Sequence, residues 1–217
     1  MKKSRRIHTL AKTILIIGML SGQAYSAILT FENSSRITVN DGGFASSDIV
    51  VTGITGTVTK VTFEFDVFNS GVFADYDFKL RAPNLQEVLV ISDIDRFGSF
   101  GGGITFTVDD DFPEFPSQLI GNIEPSYTGR VTDHPGLAIG DSDPPITGGP
   151  GDLGKFNSID PNGTWRFIII DDTDQIALDP IGQFENVKIN FTVVPEPSSS
   201  LFLGLISVWI TFRRSRR

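Results

Sequence analysis

Phe156-Asn157-Ser158-Ile159-Asp160-Pro161-Asn162-Gly163-Thr164-Trp165-Arg166-Phe167 is the stretch on which the fold turns. Pro161 fixes φ and Gly163 is free to take positive φ, so Asp160-Pro161-Asn162-Gly163 reads as a turn. It hands the chain to Trp165-Arg166-Phe167-Ile168-Ile169-Ile170. So continuous an apolar run predicts a strand buried on both sides. Trp165, Phe167 and Ile169 fall on one face of it, because strand side chains two apart point the same way.

Alternation dominates outward from there. Val61, Phe63, Phe65 and Val67 are separated by Thr62, Glu64 and Asp66. The same pattern holds at Tyr76, Phe78 and Leu80, at Ile104, Phe106 and Val108, and at Val187, Ile189, Phe191 and Val193. Period-two runs bounded by Gly, Asn, Asp and Pro predict half-buried strands. With no 3.6-residue period between residues 27 and 194, the expectation is an all-β sandwich. Residues 109–152 hold seven of the twelve prolines and read as loop or edge, since Pro lacks the amide that a central strand needs. A loop region this long is usually functional.

The Asn162-Gly163-Thr164-Trp165 string resembles the signature of the proprotein-convertase P domain (P/Homo B), a jelly-roll β-sandwich found beside subtilisin-like proteases. Asp75 to Ala82 with Pro83-Asn84 resembles a strand and turn of that family, and Phe106 to Asp111 its Phe-x-Asp-Asp segment. Asp171-Asp172 through Phe184, then Val187 to Val193, resembles its closing hairpin. Ala74 and Ser158 stand where the family has Gly, and Asn186-Val187 where its last strand has Trp. A jelly roll over residues 27–193 is what the resemblance implies. Ser158, Asp160, Thr164 and Trp165 also fit the Asp-box turn of sialidase propellers, but such boxes recur once per blade and this string occurs once.

The two ends read as addresses. Lys2, Lys3, Arg5, Arg6 and Lys12 precede a short apolar stretch, Ile14 to Leu20. Ala24 and Ser26 then have the spacing of a small-x-small cleavage site, so residues 1–26 read as a signal peptide. At the other end Val194-Pro195-Glu196-Pro197 is followed by the apolar run Leu201 to Phe212, then Arg213, Arg214, Arg216 and Arg217. As a helix that run would rise only about 18 Å, short of a hydrocarbon core of about 30 Å. The triplet, apolar segment and basic cluster over residues 194–217 resemble the PEP-CTERM sorting tail. That resemblance implies export, transient membrane insertion, and tail removal by an exosortase near Pro195, Glu196 and Pro197. It also implies a cell-surface or extracellular-matrix destination.

Between residues 27 and 194 there are nine basic and 25 acidic residues, a formal net charge of −16. Such a surface is a poor partner for nucleic acid or anionic lipid and a plausible one for divalent cations. The chain has no cysteine, which removes thiol catalysis and cysteine–zinc sites, and a domain of this size does not need disulfides.

For chemistry, His134 is the one histidine of that stretch, set in Thr132-Asp133-His134-Pro135-Gly136, which reads as a turn. There is no Gly-x-Ser-x-Gly elbow for a serine triad and no His-Glu-x-x-His for a zincin. Carboxylate pairs for glycoside hydrolysis depend on spacing in space. Asp109-Asp110-Asp111 and Asp171-Asp172 set several hard oxygen ligands at predicted strand ends, as a Ca²⁺ site requires, and the P-domain resemblance would bring Asp75 to them. Turn aspartates hydrogen-bonded to their own backbone are the alternative. Asp93-Ile94-Asp95 opens like an EF-hand loop, but Phe97 and Ile104 fill its fifth and twelfth positions. The expectation is therefore an exported, non-catalytic module for protein or polysaccharide contact. The competing expectations are an accessory P domain of a subtilisin-like serine endopeptidase system and a cryptic glycoside hydrolase.

Overall fold

The computed structural model describes residues 25–40, 42–70, 76–92, 94, 100–115, 124–130, 132–133, 152–171 and 182–196. Ala27–Val193 forms one compact unit. Met1–Ser26 and Val194–Arg217 form a second, of which only Tyr25, Ser26 and Val194 to Glu196 are among the described residues. No helix among the described residues is long and apolar enough to cross a membrane.

The chain is an all-β sandwich. Its strands are β1 (Ala27–Asn33), β2 (Ile37–Val39), β3 (Phe44–Val51), β4 (Thr57–Ser70), β5 (Tyr76–Arg81), β6 (Glu87–Ser92), β7 (Phe100–Val108), β8 (Ser126–Gly129), β9 (Thr132–Asp133), β10 (Gly163–Asp171) and β11 (Gly182–Val194). One sheet runs β1-β11-β4-β7-β8, with β2 also paired to β11; the other runs β3-β10-β5-β6-β9. Successive strands repeatedly change sheet, and a 3-10 turn, Leu153–Phe156, packs beside β4 and β6.

The alternating runs supply the inner faces. Val61, Phe63, Phe65 and Val67 of β4 are buried, as are Phe78 and Leu80 of β5. Phe63 meets Phe167 at 4.9 Å between ring centroids, and Phe65 meets Phe78 at the same distance, so aromatic rings join the two sheets. Such pairs contribute about 0.5–1.5 kcal/mol each beyond the area they bury.

One expectation changes in detail. β10 is not buried on both sides: Trp165, Phe167 and Ile169 are buried, whereas Arg166, Ile168 and Ile170 are half-exposed on the outer face. Ile168 and Ile170 lie opposite Ser46 and Phe44 of β3 and opposite Lys79 and Asp77 of β5. The apolar run hides an ordinary alternation. The Pro-rich region holds to its reading as loop or edge: β8 and β9 are short parallel strands, each at the outer edge of its sheet, where a missing amide is tolerated.

Candidate functional site

The Asp160–Gly163 turn anchors one end of the sandwich. The Asp160 carboxylate accepts the Asn162 N–H at 3.0 Å and the Asn162 side-chain amide at 2.8 Å. These two bonds hold its pKa below the usual carboxylate range. Asn162 then braces Ile54 in the loop before β4. Gly163 takes φ +132°, and a Cβ there would come within 2.8 Å of Pro83. Trp165 donates its indole N–H to the Pro161 carbonyl at 2.8 Å and packs on Phe156 and Phe191, with ring centroids 4.9 and 5.4 Å away. Ser158 adopts φ 66°, the left-handed conformation that glycine takes most easily.

The acidic turn after β7 lies at the same end. Asp111 donates its N–H to Asp109 Oδ1 at 3.0 Å, and Phe112 donates its own to the Asp109 carbonyl. Lys60 of β4 enters this turn: its ammonium sits 2.7 Å from Asp109 Oδ1 and also bonds Asp111. Those two hydrogen bonds raise the Lys60 pKa. Asp110 turns the other way and caps the 3-10 turn, accepting the Leu153 N–H at 3.1 Å and the Gly154 N–H at 2.8 Å. Burial pushes the Asp110 carboxyl upward, with Asp152 and Asp109 adding repulsion and the two amide bonds pulling it back.

Asp171 lies elsewhere. Val108, beside Asp109, faces Phe63 across the sheet, and Phe63 meets Phe167 of the opposite sheet. Asp171 is four residues further along β10, buried opposite Tyr76. Four strand residues span about 13 Å. Two ligands of one Ca²⁺, with bonds of about 2.3–2.6 Å, lie within about 5 Å of each other. Asp109–Asp111 and Asp171 therefore do not form one site. Asp75 and Asp172 lie outside the described residues, as do Asp93, Asp95, His134 and Pro197. Among the described residues no three acidic or histidine side chains are grouped to hold a metal. Oxygens of Asp109 and Asp111 already meet an ammonium, and those of Asp110 meet backbone amides.

No family model matches the chain, and no curated protein does. Among solved structures it is similar to the serine protease of Aeromonas sobria. The TM-score is 0.36, with 11% identity over 82% of this chain and 29% of that one. It is also similar to a chain of that protease's complex with its chaperone, at TM-score 0.35 and 11% identity over 83% and 29% of the two chains. The match thus spans less than a third of those chains' length. A likeness this loose assigns no activity.

A second feature was not legible in the sequence. A cleft of about 390 Å³ runs beside β3, lined by Asn33, Arg36, Thr38, Ser46, Ser47 and Asp48 among others. Arg36 lies 3.8 Å over the Phe68 ring and pairs with Glu185 at 2.9 Å. Asp48 pairs with Arg166, which lowers the Asp48 pKa. Ser47 is only 6% exposed, and its hydroxyl meets no hydrogen-bond partner. Phe-Ala-Ser-Ser-Asp-Ile-Val-Val (residues 44–51) alternates only in its last few residues, so no strand signal marked it.

Proposed function

We propose that the protein is an exported, non-catalytic β-sandwich of the envelope or extracellular matrix. An exosortase removes its tail at Pro195-Glu196-Pro197, and the sandwich binds protein or polysaccharide. The observation that carries this reading is the junction between strand and tail. The β1–β11 ladder ends with Val193 opposite Ala27, and β11 ends at Val194. Pro195 and Glu196 follow at once and are exposed. Pro195 has no amide with which to extend the ladder, and a cut beyond it breaks no strand pairing among the described residues. β1 likewise begins at Ala27, directly after the predicted leader.

A binding role suits the acidic turn, whose carboxylates hold the loops in place. Asp109–Asp111 and Asp171 lie too far apart to serve as joint ligands of one Ca²⁺.

Intact-mass analysis of protein exported from a host that carries an exosortase tests the reading. The expected species starts near Ala27 and ends near Pro197, and alanines at Pro195 to Pro197 should leave the precursor in the membrane. Surface protein still ending at Arg217 would overturn it.

A further inference from the structure

Among the described residues β3 is the edge of its sheet, paired on one side with β10 in unbroken register from Phe44 to Val51. Asp171 donates its N–H to the Gly43 carbonyl. Odd-numbered β3 residues therefore bond β10, and the amides and carbonyls of Phe44, Ser46, Asp48 and Val50 point away from it. The bond from Asn33 Nδ2 to the Asp48 carbonyl, at 3.0 Å, reaches that outward row. Natural edges are usually blunted by Pro, Lys or a bulge. β3 has no Pro, Lys or bulge. Its one charge, Asp48, is paired with Arg166, and among the described residues only the Asn33 side chain reaches its outward backbone. Its outer face shows Phe44 at 79% and Val50 at 65% exposure.

The strand is also complementary to itself. Set antiparallel to a second copy about Ser47, it places Phe44 opposite Val50 and Ser46 opposite Asp48, twice each. An apolar pair and a hydroxyl–carboxylate pair repeat on either side of the axis, and no like charges face each other. The pairs fall at the outward-bonding positions, so the unused row of backbone groups is satisfied. The Asp48 carbonyl has a second lone pair beside the one that Asn33 uses. At the axis Ser47 meets Ser47 of the other copy at a non-hydrogen-bonded position, about 4.5 Å apart at Cα. The buried hydroxyl without a partner then gains one.

We propose that β3 pairs with β3 of a second copy in this register, giving a two-fold dimer in which the five-stranded sheet continues across the interface.

The natural chain has no cysteine, so single cysteines report the register in the full-length chain held in mild detergent. Ser47→Cys should form a disulfide-linked dimer under mild oxidation, because disulfides need Cα atoms about 4.4–6.8 Å apart. Ser46→Cys, which faces Asp48 and not itself, should not. Unchanged thermal midpoints confirm that both variants are folded. By sedimentation across a dilution series, Ser46→Asp, which sets carboxylates against Asp48, should shift the wild-type dimer toward the single-chain mass. Ser46→Lys should shift it the opposite way. Equal cross-linking of the two cysteine variants, or charge variants with the same dilution profile, would place any dimer on another surface and overturn the register. A wild type of single-chain mass at every dilution, with no Ser47→Cys cross-link, would overturn the dimer and leave the edge to a strand from a different protein.

Discussion

The side-chain amide of Asn162 holds Ile54 by both backbone groups, accepting its N–H at 3.0 Å and donating to its carbonyl at 2.9 Å. A residue of the β10 turn thus fastens the loop between β3 and β4. Asn162→Ala leaves two partly buried groups without partners and should lower stability by about 1–3 kcal/mol. Asn162→Asp keeps the acceptor but turns a carboxylate toward the Ile54 carbonyl, so it should be at least as damaging. Urea unfolding of both variants checks this; an Asp variant as stable as wild type would show that the contact is dispensable.

Trp165 fills the space between sheets and also donates to Pro161. Trp165→Ala should cost about 3–5 kcal/mol, the usual range for emptying a buried aromatic site. Trp165→Phe keeps much of the volume and loses the indole donor, so its loss should be clearly smaller. Equal midpoints for the two variants in guanidinium would mean that the hydrogen bond, rather than packing, governs the position.

Gly163→Ala should be destabilising by roughly 1–3 kcal/mol, because a left-handed backbone and a close contact coincide there. The contact is with the Cβ and Cγ of Pro83, so Pro83→Gly in the same chain, which removes both atoms, should relieve the steric part and leave the conformational part. A double variant no better than Gly163→Ala in thermal melts would place the whole penalty in the backbone.

Lys60→Met removes the counter-ion of Asp109 and Asp111. Lys60 is about a third exposed at its side chain, so solvent screening limits the loss to roughly 0.5–1 kcal/mol. An ammonium and a divalent ion would compete for the same carboxylates. Ca²⁺ should therefore raise the melting temperature of Lys60→Met more than that of wild type. Equal small shifts with Ca²⁺, Mg²⁺ and NaCl would indicate screening of the acidic surface alone.

Asp110 sets a pH dependence of opposite sign to the usual carboxylate. Its folded pKa is raised, chiefly by burial, so the native state binds its proton more tightly than the unfolded chain. Its contribution to stability is present below the unfolded value and is lost as pH rises through the folded one. Asp110→Asn keeps an acceptor for one of the two amides and carries no charge. Its stability relative to wild type should improve as pH climbs through that window. Asp48, held low by Arg166, behaves in the ordinary way: its contribution is present above the unfolded value and fades as pH falls through the folded one. Denaturation series at several pH values for Asp110→Asn would refute the assignment if its difference from wild type stayed flat.

Much of the sandwich was legible because period-two burial is a local signal. Val61 to Val67 and Val187 to Val193 announce β4 and β11 without reference to any partner. Trp165 to Ile170 was misjudged for the same reason: a run of isoleucines does not say which of them face the core and which the outer side of the sheet. The acidic turn could not be read locally at all. Asp109 and Asp111 resemble metal ligands until Lys60, 49 residues earlier in the chain, is seen to reach them. Ser158 lies between: its turn was legible, but its left-handed φ of 66° was not, since serine rarely adopts it. The cleft beside β3 had no sequence signature, since it depends on where two edges come to lie.

β11 lies between β1 and β4, so the strand made after all the others is the one that joins the first to the middle of its sheet. Until it emerges, neither neighbour has its ladder partner on that side, and the contacts that close the sheet span most of the sequence. Chains dominated by such distant pairings fold slowly. Closure of that sheet must therefore wait on late synthesis, and the order of strands in space sets the last step of folding as the arrival of the last strand in sequence.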